Sequence, residues 1–284
     1  MRTVLICQSD ALLVRDVMPR WLASFSELAG ILIIDEPPGY RLQKLRKTIS
    51  KQGILPTLDL LAYRLYQKLF LTHANRQYEA QVRAESFARY PTAPTVPILT
   101  VSSPNSVEAQ EFLWSVQPDI SLACCKHLLR PNIFEIPTHG TFVMHPGICP
   151  EYRNAHGCFW ALVNGDMERV GMTLLRIDHG IDTGPVYGHF RAPFNEQTET
   201  SLIIQRRMTY HNLHQVSETL RNIVAGTAVA VNTTGRKSAI WGQPTLTTYW
   251  KWRRAARHRK TTPPVTPQTV SAAVSKAVPI NSMD

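Results

Sequence analysis

The sequence predicts an α/β fold: an open, mostly parallel sheet of about seven strands with helices on both faces, extended by further helices toward the carboxyl end. Two observations carry this expectation. Short apolar runs of strand length alternate with segments of helical apolar spacing through most of the 284 residues, which is how successive βα units read. A hydrophobic content of 44% also gives a chain of this length a substantial core.

The elements follow in order. TVLICQ (3–8) is the first strand, and ALLVRDVMPRWLASF after it has helical spacing despite Pro19. AGILIID (29–35) is the second. The later strands are VPILTV (96–101), DISLACC (119–125), GTFVMH (140–145), GMTLLRID (171–178) and PVYGHFRA (185–192). NSVEAQEFLWSVQ opens a helix with Asn105 or Ser106 as its N-cap, and Glu108 and Glu111 complement the positive end of the helix dipole. Residues 41–90 insert a helical pattern containing the basic run RLQKLRKTISK and the apolar LPTLDLLAYRLYQKLFL. A pair of helices packed on the sheet edge is expected there, with a membrane-surface or partner-docking element as the alternative.

Toward the carboxyl end, TETSLIIQRRMTYHNLHQVSETLRNIVAG (198–226) reads as one long helix or two, stopping at Gly226. AVAVNTTGRKSAIWGQPTL is expected to form a short hairpin or strand, and KWRRAARHRK (251–260) is a cationic run. The Pro, Thr and Ser bias beyond it is that of a disordered tail. The domain organisation expected is thus 1–195 as the main α/β domain with its helical insertion at 41–90, 196–258 as a helical extension with a short terminal element, and 259–284 as a tail.

Composition excludes several classes. No run approaches the roughly 18–20 apolar residues of a membrane span, and the amino terminus has too short an apolar stretch for a signal peptide, so a cytoplasmic location is expected. Cys7, Cys124, Cys125, Cys149 and Cys158 show no paired spacing and read as free thiols. The net charge of +10 points to an anionic partner, with the basic segments 41–51 and 251–260 as candidate contacts for nucleic acid, a phosphorylated molecule or a peripheral membrane surface. No G-x-G-x-x-G follows the first strand and no P-loop is present, which argues against a dinucleotide dehydrogenase or a nucleotide hydrolase.

The stretch THGTFVMHPGICPEYRNAHGCFW (138–160) concentrates the chemistry. His145 ends a strand, where the crevice of an open α/β sheet binds ligands. RIDHGIDTGPVYG then places Asp178, His179, Asp182 and Thr183 in a glycine-punctuated loop after another strand. If those strands are neighbours, Asp182 can orient the His145 imidazole as an acid/base pair. Alternatively Asp182 caps a turn and His145 is a satisfied strand-end histidine. A metal site from His139, His145, His156 or His179 with Asp182 is disfavoured, because no pair has compact ligand spacing.

These residues also carry a resemblance. HPGICPEYRNAHGCFWALVNGD followed by VGMTLLRIDHGIDTGPV resembles the core of the folate-dependent formyltransferase family, whose pattern runs N-x-H-P-S-x-L-P-x-Y-R-G and then D-x-G-x-D-T-G. The likeness covers residues 95–192 and implies a Rossmann-like fold. It implies 10-formyltetrahydrofolate as the formyl donor and cosubstrate, His145 as the catalytic histidine, and Asp182 as the aspartate that sets its charge. The pterin cleft would fall on CKHLLRP (125–131) and RIDHGID (176–182), giving Cys125, His127, Leu129, Ile177, Asp178 and Ile181 as candidate contacts. A positioned imidazole can contribute roughly 10²- to 10⁴-fold to the proton step of amine formylation.

One position departs from the family. Val143 stands where the family has the asparagine that donates to the formyl oxygen, and the loss of such a donor costs on the order of 3–4 kcal/mol at the transition state. Asn154 and His156 are the candidate substitute donors, although Asn154 also suits the left-handed turn that the family's glycine would take. The implied function is formyl transfer to a primary amine of a small, phosphorylated or nucleotide-linked acceptor. Hydrolysis of the donor, or a silent folate-binding relative, are the alternatives that Val143 keeps open. The family's tRNA-specific members add a carboxy-terminal β-barrel that this sequence does not resemble, so tRNA is not the expected acceptor.

Overall fold

A computed structural model of the chain describes residues 1–259; the expected tail lies, from residue 260 on, outside the described residues. The central sheet has seven strands: β1 (Arg2–Gln8), β2 (Glu27–Ile34), β3 (Ile98–Val101), β4 (Ile120–Cys124), β5 (Thr141–His145), β7 (Met172–Arg176) and β8 (Val186–Phe190). Their order is β3-β2-β1-β4-β5-β7-β8. The first five run parallel, whereas β7 is antiparallel to both β5 and β8. A second, two-stranded sheet joins β6 (Arg153–Asn154) to β9 (Ile240–Trp241).

Alternation along β1 shows how the sequence makes the layers. Leu5 and Cys7 point to one face and Val4 and Ile6 to the other, and all four are fully buried, as a strand covered on both sides requires. The first face carries α1 (Leu12–Ala23), α7 (Gly157–Asn164), α8 (Ser201–Tyr210), α9 (Leu213–Val224) and α10 (Leu246–His258). The second is covered by α5 (Val107–Val116) and α6 (Pro131–Phe134). Ser106 is the N-cap of α5 and accepts from the Ala109 amide. The segment expected as one helix or two over 198–226 is two, broken at His211–Asn212, with Gly226 in the left-handed region just beyond.

Two features of the insertion differ from the sequence expectation. The insertion forms α2 (Tyr40–Gln52), α3 (Ile54–Tyr66), a π-helical turn (Gln67–Leu71) and α4 (Thr72–Arg89), not a pair of helices. It does not sit on the sheet edge: α4 packs on α1 and α8, and α3 on α10, because Tyr63 and Val82 join the same apolar core as Trp21 and Tyr249. The segment before α10, expected as a short hairpin or strand, forms the short strand β9, whose partner is β6, more than 80 residues earlier.

Candidate active site

The strand β5 leaves its two faces with different neighbours. Phe142 and Met144 enter the large core, while Val143 faces a small apolar cluster with Cys149, Leu175, Val186 and Val231. His145, two residues on, shares the Val143 face and is 3% exposed. Beyond it the chain turns through Gly147 and returns at Gly157 so closely that a Cβ on Gly147 would lie 2.7 Å from the Gly157 Cα and 2.6 Å from the Tyr152 carbonyl oxygen. Only two glycines permit this crossing, and it carries the Tyr152 carbonyl to 2.7 Å from His145 Nε2.

Asp182 arrives from the other side. Because β7 is antiparallel to β5, its carboxyl end lies beside Phe142, at the start of β5. The loop 177–185 must therefore fold back along the sheet face to reach His145. Asp178 organises that fold, accepting from the Gly180 amide at 2.9 Å and from the Thr183 hydroxyl at 2.7 Å. Asp182 sits in the left-handed region at φ 51°, which Asp tolerates better than most residues. Its Oδ2 is 3.3 Å from His145 Nδ1 and accepts from the Asn154 amide at 2.7 Å. Arg153 ties the same loops together by donating to the Ile181 carbonyl at 3.1 Å.

Both His145 nitrogens thus face oxygen acceptors. An imidazole in that position satisfies both only with a proton on each nitrogen. The two contacts fix the ring at the carboxyl end of β5, beside Val143 and within the sheet.

The chain belongs to the formyl transferase family. A family model described as formyl transferase matches residues 71–220, which contain the whole of this constellation. The chain is also 30% identical to the methionyl-tRNA formyltransferase of Thermus thermophilus over 142 residues, 49% of this chain and 46% of that protein. It is 32% identical to the methionyl-tRNA formyltransferase of Dehalococcoides mccartyi over 112 residues, 38% of this chain and 36% of the relative. The chain therefore matches less than half the length of these relatives. In fold it is similar to the phosphoribosylglycinamide formyltransferase of Anaplasma phagocytophilum, with a TM-score of 0.51 at 12% identity over 86% of this chain and 99% of that one. A glycinamide ribonucleotide transformylase of Symbiobacterium toebii gives 0.51 at 14% identity, over 85% and 94%.

Among the expected folate contacts, the structure brings some together and turns others away. Cys125, Leu129 and Ile177 meet on one apolar cluster with Phe134. The side chains of Asp178 and Asp182 are engaged within the loop and with His145. His127 points elsewhere: its Nδ1 lies 2.8 Å from Gln8 Nε2 and its Nε2 3.9 Å from Glu36. Burial lowers its pKa, with Glu36 opposing that shift.

The candidate substitute donors are placed as follows. Asn154 takes φ 77°, and its amide group donates to the Trp241 carbonyl at 2.6 Å, so its side chain serves the β6–β9 junction. His156, at φ 55°, is hydrogen-bonded to Gln205 and Gln243, and burial lowers its pKa. Among the described residues no group of three or more His, Cys, Asp or Glu side chains is arranged to hold a metal ion. Sequence reasoning missed the Tyr152 carbonyl and Trp241. A backbone acceptor leaves no residue-type signal, and Trp241 lies 96 positions beyond His145 with no motif around it.

Proposed function

We propose that this formyl transferase moves a formyl group from 10-formyltetrahydrofolate to the primary amine of a small acceptor. The observation that supports the reading is the His145–Asp182 pair at 3.3 Å, held at the carboxyl end of β5. When bound, the folate supplies an activated formyl group. The chain's own residues then have two tasks. His145 holds a proton near the carbon under attack, for about 10²- to 10⁴-fold in rate, and Asp182 with the Tyr152 carbonyl fixes the ring. Cys125, Leu129 and Ile177 exclude water from one side of the donor.

Val143 favours a second reading, in which the protein binds the folate without efficient transfer. Its isopropyl group is packed among Cys149, Leu175, Val186 and Val231, and neither it nor Asn154 offers the formyl oxygen a side-chain donor. Incubation with 10-formyltetrahydrofolate separates the two. Tetrahydrofolate release that depends on an added amine supports transfer, and amine-independent release indicates hydrolysis. Binding without turnover, across amino-sugar nucleotides, aminated ribonucleotides and methionylated tRNA, sinks the transferase reading.

A further inference from the structure

The insertion presents an apolar surface that the fold leaves uncovered. Along α3 and its π-helical continuation, Ile54, Leu58, Leu65 and Leu69 recur at helical spacing, and all four are exposed. Leu55 beside them is 80% exposed. The opposite side of the same helix is already satisfied: Thr57, Leu60 and Tyr63 are buried, and the Tyr63 ring packs against Phe159 and Tyr249. A helix apolar on both sides belongs between two apolar phases. The second side is continuous with exposed Phe70 and Trp250, both of which contact the Tyr66 ring. A contiguous apolar patch of this kind marks an interaction surface.

The charge around it selects the partner. The helix α2 packs on α3, and none of its described side chains is buried. It sets Leu42 and Ile49 on the surface among Lys44, Arg46, Lys47 and Lys51. The helix α10 packs on α3 as well and adds exposed Lys251 and Arg254 next to Trp250. From Tyr40 to Leu71 the sole acid is Asp59, and its carboxylate is engaged by the amide and hydroxyl of Thr247. The two basic segments that the sequence leaves far apart therefore flank one leucine-rich stripe. Exposed leucines with a tryptophan at their border, set among lysines and arginines, have the composition of a helix lying in a bilayer interface. No helix among the described residues is long and apolar enough to cross a membrane, so contact would be with the surface.

We infer that α2, α3 and α10 together form a docking face for an anionic lipid surface. The leucines enter the acyl boundary and the lysines and arginines meet the headgroups. This holds whatever the acceptor of the formyl group is. Sedimentation of the full chain with phosphatidylglycerol-containing vesicles and with pure phosphatidylcholine vesicles tests it. The expected result is binding to the anionic vesicles that falls at least about tenfold in two variants, Leu55→Glu with Leu58→Glu, and Lys44→Glu with Lys47→Glu. Circular dichroism and melting of both variants should match the parent, since every substituted side chain is exposed. Three outcomes overturn the inference: equal binding to both vesicle types, retention of the leucine variant as strong as the parent, or a dimer that the leucine variant dissociates while vesicles leave the chain in solution. The last would assign the face to a second copy.

Discussion

Tyr152 serves the site through its backbone oxygen, and that oxygen is held in place by the absence of two side chains. A methyl group on Gly147 would come within 2.6 Å of it and 3.0 Å of His145 Nε2. Gly147→Ala should therefore cost about 1–3 kcal/mol of stability and lower turnover more than the melting point alone explains; unchanged kinetics would show that the Tyr152 contact is dispensable. Replacing Asp182 with Asn keeps the shape but removes the charge facing Nδ1, and a loss of roughly 10²-fold or more in kcat is expected from steady-state assays. Val143→Asn is the reverse experiment. If no other group serves the formyl oxygen, a gain of about 10²-fold is expected; no gain would mean that the apolar cluster around Val143 cannot admit the donor. At this scale the sequence was legible in part. Type and spacing made His145 and Asp182 candidates and left their pairing open, and the family resemblance implied it, whereas the left-handed backbone at Asn154 and His156 and the carbonyl at Tyr152 arise from how the loop closes.

Among the elements, β9 has an influence out of proportion to its two residues. Trp241 stacks on Tyr152 at 5.6 Å and on Trp160 at 5.0 Å, donates its indole N–H to the Glu151 carbonyl, and accepts from Asn154. Arg236 adds a bidentate pair with Glu151 at 2.7 and 2.9 Å. Trp241→Ala should destabilise the chain by about 2 kcal/mol and reduce kcat, with Trp241→Phe restoring most of the rate because stacking survives. An alanine variant as active as the parent would separate β9 from the site. The strands themselves were readable from short apolar runs. The direction of β7 was not, since period-two patterning is the same for parallel and antiparallel neighbours, and that direction is what forces the 177–185 loop back across the face. The fate of the insertion was also hidden, because α3 is apolar on both sides and the sequence cannot say which side the core takes.

At the scale of the whole molecule, burial of three histidines gives stability a dependence on pH. It is the largest influence on His127, His156 and His189 and holds each below the ordinary imidazole value of 6.5. The unfolded chain takes up those protons first as pH falls, so their contribution is complete above about pH 6.5 and is lost below it. Melting temperature should drop between pH 7.5 and 5.5, and a flat profile would contradict the burial of these rings. The same burial raises Cys7 and Cys125 to about 11 and Cys149 and Cys158 to about 12, so alkylation at pH 8 should be slow until the chain is unfolded. Finally, the sheet order sets where the chain can be divided. The residues that match the family begin at 71, yet β1 lies between β2 and β4 near the middle of the sheet. A fragment cut to those bounds would leave the fully buried edge of β4 open and β3 without a neighbour, and such an unpaired apolar strand invites other chains to add to it. The reach of sequence likeness and the unit that folds are different objects here.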